Sequence, residues 1–265
     1  VCFGGTLLNA AYGIAQQVVG AQLNLGSAIF VAARPAAIRM YAQDRSDDLK
    51  RIVFLACKYP ALAMLFFLVP VVLNTETLLD LWLDQYPPFT TEFVCLAMIW
   101  MTVLQSTRGY HLAMLARGDL ARYTLIMVIP DLGVLVLAAA AFGIFRESPW
   151  APLALPFVTL MLTVIQIGLQ SWYVGRKIDL PVRRWLWDVA RPVTIVLLIA
   201  GSAAWAAREL FEPDVPRLIA TGVAYSVMAC PVIWLVAMAK WERHQFLRSL
   251  RSLGQALRRR PTDGQ

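Results

Sequence analysis

The chain has 265 residues, of which 59% are hydrophobic and only 15% charged, and its mean hydropathy is +0.60. Soluble domains carry roughly 25% charged residues, so this composition excludes a soluble domain or soluble enzyme. The net charge of +7 does not mark a nucleic-acid binder, because the basic residues lie between apolar runs rather than on one soluble face.

No Asp, Glu, Lys or Arg occurs from Val1 to Ala33, from Ser148 to Gly175 or from Leu218 to Ala239. Each run is long enough to cross a hydrocarbon core, which takes roughly 20 helical residues. The chain starts at Val1 inside an apolar run with no basic segment before it, unlike a signal peptide. The simplest expectation is the C-terminal part of a longer protein.

Seven crossings are predicted in chain order, within an all-α, polytopic membrane helical bundle spanning residues 1–239. They cover 8–34 (its helix continuing toward Tyr41), 52–73, 89–115, 123–145, 152–174, 193–207 and 218–239. The sixth has the shortest uncharged core, between Arg191 and Arg208. Length rather than periodicity carries these assignments, since lipid-facing helices are apolar on most sides. Glu76–Tyr86 alternates acids with leucines and reads as lying on the membrane. Residues 240–265 read as a basic amphipathic tail, with Phe246, Leu247, Leu250, Leu253 and Leu257 on one stripe, attracted to anionic lipid.

The connections fall into two alternating sets. One set (34–58, 108–122, 176–191 and the tail from Lys240) holds 21 of the 24 Lys and Arg, while acids divide evenly. That is the pattern of the positive-inside rule, which counts cations rather than net charge. The first set, and the C-terminus with it, is expected in the cytoplasm. The first helix then runs inward, is even-numbered if the parent starts inside, and fits the eighth of a 14-helix parent.

Four cysteines (Cys2, Cys57, Cys95, Cys230) form no CxxC pair, and His111 and His244 stand alone. Neither a disulfide framework, a metal site nor a cofactor is expected. There is no GxSxG, HExxH or P-loop, so no enzymatic activity is expected.

Polar residues inside the apolar runs are the candidate site. Asp131, directly after Pro130, is the one acid deep in a crossing; it reads either as a cation or proton site or as a packing carboxyl. Tyr12, Gln16, Gly20, Asn24 and Ser27 share one helical face at gaps of 4, 4, 4 and 3. Thr159, Thr163, Gln166, Gln170 and Tyr173 repeat this at 4, 3, 4 and 3. Such stripes line a groove for a hydroxyl-rich ligand or pack helices together. Arg34, Lys58 and Arg108 sit near helix ends, where they snorkel to headgroups or receive a phosphate.

The N-terminal block carries a family resemblance. Phe3-Gly4-Gly5, Asn9 to Gln17 (NAAYGIAQQ), Ala33-Arg34-Pro35-Ala36, Tyr41-Ala42-Gln43-Asp44 and Leu79 to Leu83 (LDLWL), with Gly118 at the later turn, occur in order. Over residues 1–122 this set resembles the oligosaccharide-flippase and polysaccharide-export families of the MATE-like (MOP) exporter superfamily. The resemblance implies the C-terminal bundle of a two-bundle transporter. It also implies flipping of undecaprenyl-diphosphate-linked oligosaccharide by alternating access, for O-antigen, capsule or exopolysaccharide assembly. Partners would be the lipid-linked oligosaccharide, membrane lipids, and a glycan polymerase or glycosyltransferases, with no nucleic acid. A cation-coupled multidrug exporter of the same fold and a non-transporting scaffold of envelope assembly are the competing readings.

The charge split sets a test of orientation. Cysteines placed at Thr77 and Ser252 are expected to react with an impermeant thiol reagent from outside and inside the cell respectively; the reverse pattern overturns the orientation.

Overall fold

The computed structural model describes residues 5–145, 147–244 and 247–248, and among these every regular element is a helix. The helices are α1 (Gly5–Ala42), α2 (Ser46–Leu73), α3 (Thr75–Trp82), α4 (Thr90–Gln105), α5 (Arg108–Arg117) and α6 (Leu120–Ile144). There follow α7 (Ala154–Ile178), α8 (Val182–Trp185), α9 (Arg191–Glu209) and α10 (Val215–Val232). Among the described residues, six stretches are long and apolar enough to cross a membrane: Gly5–Ala42, Ser46–Leu73, Leu120–Ile144, Ala151–Ile178, Val182–Glu209 and Val215–Ala237. The chain is a membrane-embedded helical bundle. Leu125, Ile129, Val136, Met161, Leu198 and Val227 stand fully outward, a surface that suits lipid as surely as it would aggregate in water.

The stretch read from sequence as the third crossing is divided. α4 has 16 residues, about 24 Å at 1.5 Å per residue, short of a hydrocarbon core of about 30 Å. Ser106 and Thr107 cause the break: their hydroxyls donate to the carbonyls of Val103 (2.6 Å) and Leu104 (3.0 Å), offering the backbone an alternative to the helix. The freed Ser106 carbonyl accepts from the Trp185 indole at 2.9 Å. α4 and α5 nevertheless follow α1 along its length, with Tyr12 against Phe93, Gln22 against Thr102, Phe30 against Arg108 and Tyr41 against Arg117.

The sixth stretch is longer than its uncharged core suggests. Helical backbone begins at Val182, passes through a π turn at Leu186–Ala190 and runs to Glu209. The expected 176–191 connection is therefore largely helix, with Arg183, Arg184 and Arg191 on its first turns. Their guanidiniums lie over the rings of Phe54 (Arg184, 5.3 Å) and Trp187 (Arg191, 4.7 Å). Glu76–Tyr86 is helical only over Thr75–Trp82, with Leu79 buried and Leu81 and Trp82 exposed. Of the tail stripe, Phe246, Leu250, Leu253 and Leu257 lie outside the described residues, as do Cys2, Phe3 and Gly4.

The bundle has a basic end, holding Arg39, Arg117 and Lys177, and an acidic end, holding Glu76, Glu92 and Asp214. One core cluster joins α1, α2, α4, α9 and α10; a second, toward the basic end, joins α2, α5, α6, α7 and α8. At the acidic end, the Asn74 amide donates to Thr221 Oγ1 at 2.8 Å and its carbonyl accepts from Arg217 Nε at 3.0 Å, which ties α2 to α10.

α2 and α5 approach most closely at Gly109, where a Cβ would run into the carbonyl oxygen of Val53 and come within 2.7 Å of Cys57 Sγ. Small residues at such contacts let membrane helices pack backbone to backbone. Gly109→Val is expected to cost at least about 1–3 kcal/mol by overpacking and to lower the thermal unfolding temperature in detergent. Gly143→Val, with nothing within 4 Å of its Cβ, is expected to leave it unchanged.

Candidate functional site

Two cavities lie along α6, one toward each end of the bundle. The cavity at the acidic end, about 270 Å³, is walled by Leu8 and Tyr12 of α1, Phe93 of α4 and Leu135, Ala138 and Phe142 of α6. The one toward the basic end, about 230 Å³, is walled by Thr107, Arg108 and His111 of α5, Tyr123, Thr124 and Met127 of α6 and Gln166 and Gln170 of α7.

Helical register places Asp131 between them. On α6, Thr124, Met127, Leu135, Ala138 and Phe142 line the two cavities, and Asp131 lies four residues after Met127 and four before Leu135. It therefore shares their face. Asp131 is exposed and, among the described residues, forms no ion pair. On α1, Gln16 follows Tyr12 by about one turn; its Nε2 is buried and, among the described residues, without a partner.

The two sequence stripes behave differently, and helix geometry explains why. On α7 the gaps average 3.5 residues, close to the helical period of 3.6, so Thr163, Gln166 and Gln170 all stay buried. On α1, steps of four precess by about 40° each. By Asn24 the stripe has turned about 120° from Tyr12, and Gly20, Asn24 and Ser27 are exposed. Asn24 is thus no neighbour of Gln166 and Gln170. The inward polar residue of this part of α1 is Gln22, whose amide donates to Thr102 Oγ1 at 2.9 Å.

Gln166 makes one long bond, Nε2 to the Met127 carbonyl at 3.5 Å, and Gln170 Oε1 has no partner although the residue is 95% buried. Both amides retain capacity for a ligand in the cavity. The cations beside them are of two kinds. Arg108 lies 5.0 Å from the Phe30 ring, and Arg34 and Arg108 both act electrostatically on His111, whose ring in turn contacts Phe30 and Tyr123. Among the described residues neither arginine has a carboxylate within ion-pair distance. Lys58 is a correction to the headgroup reading. Its Nζ is 2.8 Å from Glu242 and 2.7 Å from the Ala237 carbonyl, buried at 5% exposure, so no donor remains for a headgroup.

His111, Tyr123, Thr107 and Thr124 were not singled out by sequence. The available signal was the i, i+3 spacing of Arg108 and His111, which puts both on one face of α5. Among the described residues no three His, Cys, Asp or Glu side chains gather into a metal-binding group. Comparison with protein-family models, curated proteins and solved structures gives no match.

At the start of α6, Asp119 accepts from Tyr173 OH and pairs with Lys177 Nζ, each at 3.2 Å. The hydrogen bond from Lys177, then the one from Tyr173, keeps the Asp119 carboxyl below its ordinary value. A depressed carboxylate contributes stability above its unfolded pKa, about 3.9, and loses it as pH falls through the folded value. Asp119→Asn is therefore expected to lower the thermal unfolding temperature by a constant amount from pH 5 to 8. The gap should close below about pH 4; a gap that widens on acidification contradicts this.

Proposed function

We propose that the chain is one bundle of a two-bundle transporter that flips an undecaprenyl-diphosphate-linked oligosaccharide across the bacterial inner membrane by alternating access, its C-terminus cytoplasmic. One observation carries the reading. In a largely apolar bundle, a cavity at the basic end gathers partly unpaired amides, hydroxyls and an imidazole beside two arginines that, among the described residues, have no carboxylate within ion-pair distance. A neutral polar wall suits sugar hydroxyls, and free guanidiniums suit a diphosphate, which they bind through paired N–H donors. The lipid tail stays in the hydrocarbon while the headgroup uses the groove.

Three further points support it. The α6 face that carries both cavities is exposed at Asp131 and Leu135, where a second bundle would pack; rocking of two repeats around a shared site is how such transporters work. α4 and α5 together are read as a seventh crossing, because they follow α1 from Tyr12 to Tyr41. The ordered N-terminal motifs resemble the oligosaccharide-flippase families. We read the chain as a transporter rather than an enzyme, acting alongside a glycan polymerase or glycosyltransferases.

Asp131 favours a second element, coupling to a cation or proton. It is an acid at mid-membrane depth on the groove face and forms no ion pair among the described residues. Such a residue is costly unless it meets water or a partner. A cation-coupled drug exporter would use the same acid without needing the arginines.

The test is export by the complete transporter in a flippase-deficient strain. Arg34→Gln with Arg108→Gln is expected to reduce glycan export about ten- to hundredfold, matching about 1.5–3 kcal/mol for hydrogen bonds to charged groups, with membrane insertion unchanged. Normal export from that double variant refutes the headgroup role. Loss of export in Asp131→Asn with the arginines intact identifies coupling through the acid; unchanged export makes it a packing carboxyl.

A further inference from the structure

His111 stands on the wall of the basic-end cavity, and the charges that act on it are of one sign. They are the guanidiniums of Arg34 on α1 and Arg108 on α5. Arg108 precedes it by three residues and shares its face of α5. The Arg108 guanidinium lies 5.0 Å from the Phe30 ring, and the His111 ring lies 6.0 Å from Phe30 and 5.9 Å from Tyr123. These ring contacts hold the imidazole beside the guanidinium. Among the described residues no carboxylate lies within ion-pair distance of His111, Arg34 or Arg108.

The other titratable groups near the ring keep one charge state around neutrality. Tyr123 on α6 touches it, and Tyr173 on α7 lies 6.4 Å from Tyr123. Cys57 on α2 acts on both Tyr123 and Tyr110. Phenols ordinarily ionise near about pH 10 and thiols near about pH 8.5. Asp119, at the start of α6, is engaged with Lys177 and Tyr173 and feels Arg122. An imidazole, with an ordinary pKa of about 6.5, is the side chain suited to change charge between about pH 6 and about pH 8.

A site that already holds two guanidiniums disfavours a third cation, whereas an anion seated on them favours one. A diphosphate substituted at both ends keeps one strongly acidic hydroxyl on each phosphate, so it is a dianion across this whole range. The imidazole therefore adds no charge to the empty site and adds one when the ligand's charge is present.

We infer that His111 is a proton-binding element of the headgroup site: a diphosphate seated on Arg34 and Arg108 draws one proton from water onto the imidazole, and that proton tightens the hold on the diphosphate. The inference rests on the headgroup reading of this cavity. Linkage fixes the sign. A group that binds its proton more tightly in the complex makes affinity rise as pH falls, by at most about tenfold per pH unit for one proton.

The test is calorimetric titration of the complete transporter in detergent with farnesyl-diphospho-N-acetylglucosamine, whose own charge is constant over the range. Wild-type affinity is expected to be at least about fivefold tighter at about pH 6 than at about pH 8, with net proton uptake seen as heats that differ between buffers of different ionisation enthalpy. His111→Gln, which hydrogen-bonds without titrating, is expected to bind more weakly than wild type at the lower pH, to change less than about twofold between the two, and to take up no proton. The wild-type proton count needs no variant and stands whether or not His111→Gln folds. Arg34→Gln with Arg108→Gln is expected to weaken binding at least about tenfold. Arginine-dependent binding that is equal at the two pH values, with no proton uptake, overturns the inference and leaves the headgroup reading standing. A pH dependence that survives in His111→Gln also overturns it. Absent binding, or binding that the arginine pair does not affect, overturns the headgroup reading and the inference with it.

Discussion

A bilayer offers no water to an unpaired polar group, and that constraint governs the rest of this structure. Apolar burial cannot sort the helices, because lipid tails receive Leu125 or Val164 as readily as a protein core does. What distinguishes one arrangement from another is close contact at small residues and the pairing of the few interior polar groups. Four long-range bonds do this here: Gln22 to Thr102 between α1 and α4, Asn74 to Thr221 between α2 and α10, Trp185 to Ser106 between α8 and the α4–α5 break, and Lys58 to Glu242. Each joins segments at least 79 residues apart, so together they fix the order of the bundle.

Set against that background, incomplete pairing becomes informative. Buried polar groups in native structures are normally satisfied, and an exception asks for an explanation. Gln170 Oε1, on the wall of the basic-end cavity, is one exception, as are Gln16 Nε2 on α1 and Tyr225 OH on α10. The α2–α10 contact at the acidic end, by contrast, closes Asn74 on both its oxygen and its nitrogen. A closed polar group staples; an open one is available. Spare capacity occurs on both sides of the bundle; that of Gln170 opens on the basic-end cavity.

How much of this was legible in the sequence follows from what each signal measures. Uninterrupted apolar length located six long helices, because crossing lipid needs length above all. It could not locate the break at Ser106–Thr107, where two hydroxyls act on the local backbone inside an apolar run. It also understated α9, whose first turns carry arginines that lie over aromatic rings. Spacing placed Gln166 and Gln170 together because their gaps match the helical period, and it misplaced Asn24 because a run of fours does not. Nothing local to Lys58 announces Glu242. That pairing depends on how α10 ends, and a single lysine before a proline is equally consistent with a snorkelling side chain. Arg34 and Arg108 were legible as helix-end cations, but their shared approach to His111 depends on α1 and α5 running side by side.

The order of groups along the groove carries the last step. From Thr124 at the basic-end cavity to Asp131 is seven residues, about 10 Å along α6. For opposite charges about 10 Å apart, with an effective dielectric of about 20, the attraction is on the order of 1–2 kcal/mol. That is too weak to draw the acid out of mid-membrane into a fixed ion pair, yet enough for the charge at one position to bias the other. An anionic headgroup on Arg34 and Arg108 would screen those cations and lessen their hold on the Asp131 carboxylate. Conversely, a cation or proton on Asp131 would remove a negative charge that partly offsets the arginines, and so strengthen their pull on an anionic headgroup. Cargo and coupling ion would then sense each other across about two turns of α6 through the field alone. On the proposed reading, that separation is what lets one groove hold both without the arginines and the acid cancelling as a buried pair.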